Sequence, residues 1–528
     1  MTGLGTRGDN PRMPDYLTAH VEKIGSKLAV VDDRPDGRVE SWTFGELNSQ
    51  ANRLANALLA LGIRPRDKII WCGQNSLGIV RMIHAARKVG AIAVPLNYRL
   101  SPEEASYVVH NSDSVLVYVD AEFTDLFAKI QDQIPSVRNI LVFDGEPATG
   151  MQRVEELLEQ SGDAEPVIES EGQAGTMIYT SGTTGKPKGA VRTGAGDPAQ
   201  TVGLLGLFGY QPDDVFLTTG PLYHSGPGGF MNIAHTLGHS VVLQRKFNAE
   251  DWLRLVDKYR VSSTFSAPTP IRLVCNLEPS VKQKYDRSSM RRMIANAAPW
   301  SFALKQAYLA DFPDDSLFEV YGSTELGVNT VLLPEDQLRK PGSCGKPSPG
   351  VEIFLLDDDG NQVTEANVPG ELFVRSKGVF STYHRAKDKY DEDRRGEMHT
   401  VGDVAYFDDE GFYFICDRKK DMIISGGMNI YPAEIEAALE NHDDILDVAV
   451  FAIPSEEWGE LVHATVVARP GSNLDEAAVE AFSREHLASY KIPRSIAFTN
   501  EIPRTGSGKI LKRVMREPYW EGHATRVG

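Results

Sequence analysis

Cysteine is scarce in this chain, with four in 528 residues, and Cys72, Cys275, Cys344 and Cys416 lie far apart. That spacing supplies neither the paired thiols of a zinc site nor a disulfide framework, and it fits a reducing compartment. The four are expected to be buried small hydrophobes. Long apolar runs are also missing. No stretch approaches the ~20 residues that a membrane helix requires, and the opening MTGLGTRGDNPRMPDYL has no apolar segment of the secretory kind. A cytoplasmic protein is the expectation. Positive charge is in deficit, with 55 Lys and Arg against 73 Asp and Glu and a net charge of −18. This excludes binding to nucleic acid by bulk phosphate neutralisation, so anionic ligands must be held by local cationic clusters. There is no internal repeat, no low-complexity segment and no basic amphipathic helix of the membrane-surface type.

What is present is ordinary globular composition, 41% hydrophobic and 24% charged, in a chain too long for one compact core. Two or more domains follow. Ala51, Leu54, Ala55, Leu58, Leu59 and Leu61 recur at helical spacing from Ser49 and stop at Gly62. A strand at 68–71, a helix at 77–88, strands at 91–96, 115–119 and 139–143, and a helix opened by the capping box of Ser101 and Glu104 complete the first third. Alternating strands and helices of this length indicate parallel sheet in an α/β layer architecture, with the Ala and Leu stripes as core.

Between Val351 and Phe414 the texture changes to short strands and tight turns. Asp357-Asp358-Asp359-Gly360-Asn361 looks like a calcium loop, but an EF-hand frame would put Leu355 and Ala366 at its end positions, so a β-turn is expected. Asp408 to Gly411 is a second such turn, and a β-rich subdomain should end near Cys416. A final block of about a hundred residues has the size of a small domain. It contains a helix opened by Pro432, strands at 447–453 and 461–468, a helix at 475–487 and a basic tail.

The densest chemistry lies in Tyr179 to Gly189, YTSGTTGKPKG. Hydroxyls, bare backbone and two lysines after a short β-prone segment suit a mobile loop that wraps phosphate oxygens. It is no Walker A loop, because two residues rather than four separate Gly182 from Gly185 and Pro187 follows Lys186. Histidine offers a second theme. His235 and His239 share helical spacing, but Gly238 suggests a helix end and no third metal ligand is near.

Six separated stretches then fit one pattern: the 179–189 loop, YGSTE at 321–325, GELFVRS at 370–376, TVGDVAYFDDEGFYFICDRKKDMI at 400–423, GGMNIYPAEIE at 426–436 and PRTGSGKILK at 503–512. In order and content they resemble the core motifs of the adenylate-forming superfamily, and within it a bacterial fatty-acyl-CoA synthetase. The resemblance spans Ser41 to Lys512. It implies a large N-terminal domain, 1–419, of α/β layers plus the β-rich subdomain, and a small mobile α+β domain, 420–528. It further implies an AMP-forming ligase of fatty acid metabolism that uses ATP, Mg²⁺ and coenzyme A, with a homodimer as a common state.

By the same resemblance Thr180, Ser181, Gly182, Thr183, Thr184 and Lys186 embrace the β- and γ-phosphates, and Glu325 with Thr180 holds Mg²⁺. Thr324 meets the α-phosphate. Asn296, Ala297, Ala298 and Pro299, with Tyr321 and Gly322, form the adenine slot. Asp403 takes the ribose hydroxyls with Arg418 beside it, Lys420 is the hinge, and Gly426 and Gly427 line the pantetheine channel. His224 stands beside the acyl carbonyl, and Lys509 bridges the carboxylate and the α-phosphate as a compact charge. As plain sequence, Lys509 is one more cation among Arg504, Lys512, Arg513 and Arg516, and Asp403 or Arg418 is half of a surface ion pair.

The stretch PLYHSGPGGFMNIAH, 221–235, contains no Asp or Glu to neutralise a buried ammonium, so the acid is not expected to be an amino acid. Gly226, Gly228, Gly229, Ala297 and Ala298 are expected to leave room for a bulky apolar acid, with tight turns as the competing use of the glycines. Three other readings share the motifs. One is an acyl-AMP ligase that loads a carrier protein, which usually carries an insertion with no room here between Arg418 and Tyr431. The second is a luciferase-like oxygenase, and the third a non-catalytic nucleotide sensor.

Overall fold

The computed structural model describes residues 15–168, 174–180, 186–193, 197–298, 300–504 and 510–521. Among these the strands form four sheets. An eight-stranded sheet runs in the order Thr382–Tyr383, Lys188–Thr193, Gly175–Thr180, Ile92–Leu96, Lys68–Cys72, Ser114–Asp120, Asn139–Phe143, Gln152–Arg153. From Gly175–Thr180 onward all its pairings are parallel, as the strand and helix alternation requires. A nine-stranded sheet places Leu317–Ser323, Arg292–Ala295, Ser263–Ser266, Val215–Thr218, Ser240–Leu243 and Leu28–Asp33 side by side in parallel. Their carboxyl ends lie at one edge, where open parallel sheets bind ligands.

Local chemistry sets most of the boundaries. The capping box at Ser101 forms, with Glu104 N–H donating to Ser101 Oγ at 3.3 Å and Ser101 N–H to Glu104 Oε2 at 2.9 Å. The helix expected from Ser49 begins earlier, at Phe44, because Thr43 and Glu46 make a second capping box that the stripe beginning at Ala51 conceals. Such a cap is worth about 1 kcal/mol. Ala51, Leu54, Ala55 and Leu58 on that helix are wholly buried. Both Asp turns are turns: Gly360 N–H donates to Asp357 O at 3.0 Å and Gly411 N–H to Asp408 O at 2.9 Å. The last strand of the subdomain, Tyr413–Arg418, runs two residues past Cys416, where Arg418 pairs with Asp403.

The last block has its own five-stranded sheet and its own core, in which Ile435, Leu439, Val450 and Ala464 are buried. It follows the turn at Arg418, where Asp421 N–H donates to Arg418 O at 2.8 Å with Lys420 between them. All four cysteines are free, and burial pushes each thiol up, Cys416 and Cys344 to about 12. No described helix is long and apolar enough to cross a membrane.

His235 is no metal ligand but part of a buried hydrogen-bonded chain. Its Nε2 faces the Ala29 carbonyl at 3.2 Å and so carries the hydrogen, which leaves Nδ1 to accept from His84 Nε2 at 3.0 Å. His84 Nδ1 then accepts from the Tyr16 hydroxyl at 3.3 Å or from Arg87 at 3.2 Å. Every nitrogen is matched only while both rings are neutral. Burial accordingly holds His84 far below its ordinary range and His235 at about 4. The unfolded chain binds the extra protons first, so this stability is present above about pH 6.5 and is lost as pH falls toward 4. Urea unfolding at pH 7.5 and pH 5 should show a loss of about 2 kcal/mol from His235. The fall should be shallower in His235→Asn, and an identical fall would show that the chain does not govern it.

Candidate functional site

The hairpin of Leu317–Ser323 and Gly327–Leu332 carries the central residues. Its three-residue turn is Thr324-Glu325-Leu326, closed by Gly327 at φ 78° and by Leu326 N–H donating to Ser323 Oγ at 3.0 Å. Positive φ at the residue after a short loop is a common solution for such hairpins, and it favours glycine. The turn therefore projects Thr324 and Glu325 at the carboxyl edge of the sheet. Glu325 is 8% exposed. Its Oε1 accepts from Thr180 Oγ1 at 2.9 Å and from the Tyr383 hydroxyl at 3.1 Å.

Thr180 ends the strand Gly175–Thr180, at the entry to the glycine-rich loop. Its partner lies 145 residues away. The structure thus brings together the two residues expected to hold the metal. Thr324 Oγ1 meets Ser225 Oγ at 2.9 Å, which ties the turn to the first residue of the helix Ser225–Thr236. His224 is the N-cap of that helix, with its ring 4.4 Å from that of Tyr223.

Asn296, Ala297 and Ala298 follow the strand Arg292–Ala295 at the same edge. Asn296 N–H donates to Ser266 O at 3.1 Å and its side-chain amide donates to Val320 O at 2.5 Å, which pins the segment to both neighbouring strands. Ala297 has φ 71°, a conformation that costs a non-glycine residue energy and that clusters at binding sites. Gly322 needs no purine to explain it, since a Cβ there would overlap the carbonyl of Gly327 across the hairpin. Tyr321 points its hydroxyl at Asp403 Oδ2, 2.6 Å away, and burial followed by that carboxylate holds the phenol protonated. Arg418 Nε lies 3.3 Å from the other Asp403 oxygen. This pair is only partly a surface one, with the Asp403 side chain 10% exposed.

One expectation about glycine changes. A Cβ on Gly226 would strike the Phe265 ring and one on Gly228 would lie 2.6 Å from the Leu222 carbonyl. These glycines serve close helix packing rather than open space; only Gly229 faces none within 4 Å. Gly426 and Gly427, at φ 56° and 78°, form the two-residue turn between Ile423–Ser425 and Met428–Ile430, a conformation that itself demands glycine. Lys186 is exposed, with its ammonium 5.0 Å from the Tyr107 ring centre. Ser181, Gly182, Thr183, Thr184, Pro299 and Lys509 lie outside the described residues. Described cations of the basic tail are paired within their own block. Arg504 donates to both oxygens of Asp447 at 2.7 and 2.8 Å, Lys512 lies 2.9 Å from Glu436, and Arg516 lies 3.3 Å from Asp421.

Arg192, Tyr383 and Ser225 also meet here, and no sequence signal marks them. Half-buried Arg192 donates to the carbonyls of Thr324 at 2.9 Å, Gly378 at 2.7 Å and Glu325 at 3.3 Å, and so braces the turn from the strand Lys188–Thr193. Burial lowers its guanidinium while the Glu325 charge opposes that shift.

The sequence profile of AMP-binding enzymes matches residues 17–384, and that of the AMP-binding enzyme C-terminal domain matches 434–509. The chain belongs to the AMP-binding enzyme family. It is 33% identical to the indoleacetate–CoA ligase of Aromatoleum aromaticum over 90% of this chain and 92% of that one. It is 32% identical to the fatty acid–[acyl-carrier-protein] ligase ScoC of Streptomyces coeruleorubidus, over 92% and 93%. It is equally 32% identical to the long-chain-fatty-acid–CoA ligase FadD13 of Mycobacterium tuberculosis, over 93% and 95%. Its fold matches the crystal structure of the anthranilate CoA ligase AuaEII in complex with anthranoyl-AMP, with a TM-score of 0.85 at 26% identity over 96% of each chain. The AMP-binding fold of this chain therefore sits among the acyl- and aryl-CoA ligases of the adenylate-forming superfamily.

Proposed function

We propose that this AMP-binding enzyme joins a hydrophobic carboxylic acid to coenzyme A in two steps at the Glu325 turn. The acid's carboxylate oxygen attacks the α-phosphorus of ATP and the bond to pyrophosphate breaks. The thiol sulfur of coenzyme A then attacks the acyl carbonyl, the bond to AMP breaks, and the thiol proton passes to solvent. The observation that carries this reading is the meeting of Thr180 and Glu325, 2.9 Å apart, at the head of the phosphate loop.

A carboxylate of pKa about 4 is already ionised at pH 7, so the first step needs charge management rather than a general base. Glu325 and Thr180 would hold Mg²⁺. One buried carboxylate with a hydroxyl beside it fits an ion that keeps water and substrate phosphate in its shell, and bound there it would neutralise phosphate charge. Asp403, oriented by Tyr321 and Arg418, would accept from the ribose diol. Thr324 would meet the α-phosphate, and the pinned Asn296 to Ala298 segment would seat the base. Residues 420–528 would form the mobile domain, turning about Lys420 so that Lys509 serves the first step and the Gly426–Gly427 turn the second.

An apolar acid is supported by the aromatic packing along the helix Ser225–Thr236 that His224 caps. The rings of Phe230 and Phe265 stack at 5.1 Å, and Phe208 lies 6.1 Å from Phe230 and 5.5 Å from Phe318. A fatty acid is the reading retained from the sequence, and the relatives named for fatty acids support it; the relative named for indoleacetate supports an aryl acid as the second. The carrier-protein relative supports a protein thiol as the alternative acceptor.

The test is acid-dependent pyrophosphate release with ATP and Mg²⁺ across fatty, aryl and steroid acids, with and without coenzyme A. Pyrophosphate with one class, converted by coenzyme A to thioester and AMP, is the expected result. Adenylate that coenzyme A leaves untouched would transfer the reading to a carrier protein, and no pyrophosphate with any acid would overturn it.

A further inference from the structure

The C-terminal block meets the larger part of the chain across a crevice of about 240 Å³. Arg272, Leu273 and Asn276 line one wall, and Leu446, Asp447 and Ile502 line the other. The first wall belongs to the helix Pro268–Cys275, which leaves the carboxyl end of the strand Ser263–Ser266 beside Asn296. The second wall includes Asn500, Glu501 and Ile502, which lead directly into the segment containing Lys509.

Acidic side chains gather on the block's side of this crevice. Glu436, Glu440 and Asp447 are neighbours there, while Lys512 is bound to Glu436 and Arg504 to Asp447. Glu440, at the end of the helix Pro432–Leu439, is raised by burial, and the cation that chiefly opposes the shift is Arg272 from the other wall. The facing surfaces are not sealed: Leu273 is 52% exposed and Leu446 37%. A polar contact around a crevice separates readily, whereas a packed apolar one would not.

We propose that Arg272 is a positioning residue that docks the acidic Glu440 and Asp447 wall, holding the C-terminal block where Lys509 serves the adenylation step. This role rests on the two-step reading, and its test is chosen to stand apart from it. The junction Arg418-Lys419-Lys420 offers three sites to trypsin; its backbone is tied down by Lys419 N–H donating to Gly402 O at 2.7 Å and Asp421 N–H to Arg418 O at 2.8 Å, and separation of the block should loosen it.

In the full-length chain, Arg272→Glu should raise the rate of tryptic cleavage at that junction about fivefold. Arg272→Lys should leave the rate near that of the parent, and Arg272→Glu with Glu440→Arg should return toward it. With an acid that the parent activates, Arg272→Glu should also lower pyrophosphate release about fivefold while thioester formation from supplied acyl-adenylate stays unchanged. Unchanged cleavage in Arg272→Glu, or equal loss in Arg272→Lys and Arg272→Glu, overturns the proposal. If the parent releases no pyrophosphate but the cleavage pattern holds, the dock stands and the two-step reading falls.

Discussion

Lys509→Ala should lower acid-dependent pyrophosphate release about 10²- to 10³-fold, while thioester formation from supplied acyl-adenylate continues near the parent rate. The reason is electrostatic. In the first step an anionic acid approaches an anionic triphosphate, and a chain of net charge −18 has no general cationic field to offset the repulsion. A lysine placed between the two anions supplies the missing charge where it develops. In the second step pyrophosphate has gone and the nucleophile is a thiol, so that requirement lapses. The ends of the 505–509 segment are tied together, with Leu511 N–H donating to Pro503 O at 2.8 Å, and Arg504 and Lys512 are committed to Asp447 and Glu436. Their positive charge is therefore spent within the block, and the assignment of the role to Lys509 is what the family resemblance implies. Quenched-flow measurement of each half-reaction gives the comparison, and equal loss in both would sink the assignment.

Glu325→Gln should cost a similar 10²- to 10³-fold in pyrophosphate release and raise the Mg²⁺ concentration needed for half-maximal rate. The substitution keeps shape and an acceptor oxygen, so the Thr180 and Tyr383 hydroxyls retain a partner and the turn held by Arg192 should persist. Only the charge is lost. Calorimetric unfolding within a degree or two of the parent would verify the fold, and parent-like activity at ordinary Mg²⁺ would show that this carboxylate holds no metal.

Much of the chain was legible before its fold was known, and the reason is locality. The helix Leu77–Lys88, the strand Asn139–Phe143 and the Ser101 capping box are written in contacts between residues a few positions apart. Local signals also misled when one outweighed another. The leucine stripe hid the Thr43 cap, and glycines that suggested space at Gly226 and Gly228 answer to a phenylalanine ring and a carbonyl.

Sequence by itself determined the family, the order of the motifs, the α/β layering and the lack of Asp and Glu in 221–235, because each depends on residue type and short spacing. Tertiary structure alone decided that Thr180 meets Glu325, that the Tyr321 hydroxyl meets Asp403, that Arg192 braces the turn and that Arg272 and Asp447 line one crevice from different blocks. Those partners lie from about eighty to more than a hundred and sixty residues apart. No periodicity reaches that far; only the closing of the sheets places the side chains together, and the hydrogen bonds and charges that follow are consequences of that placement.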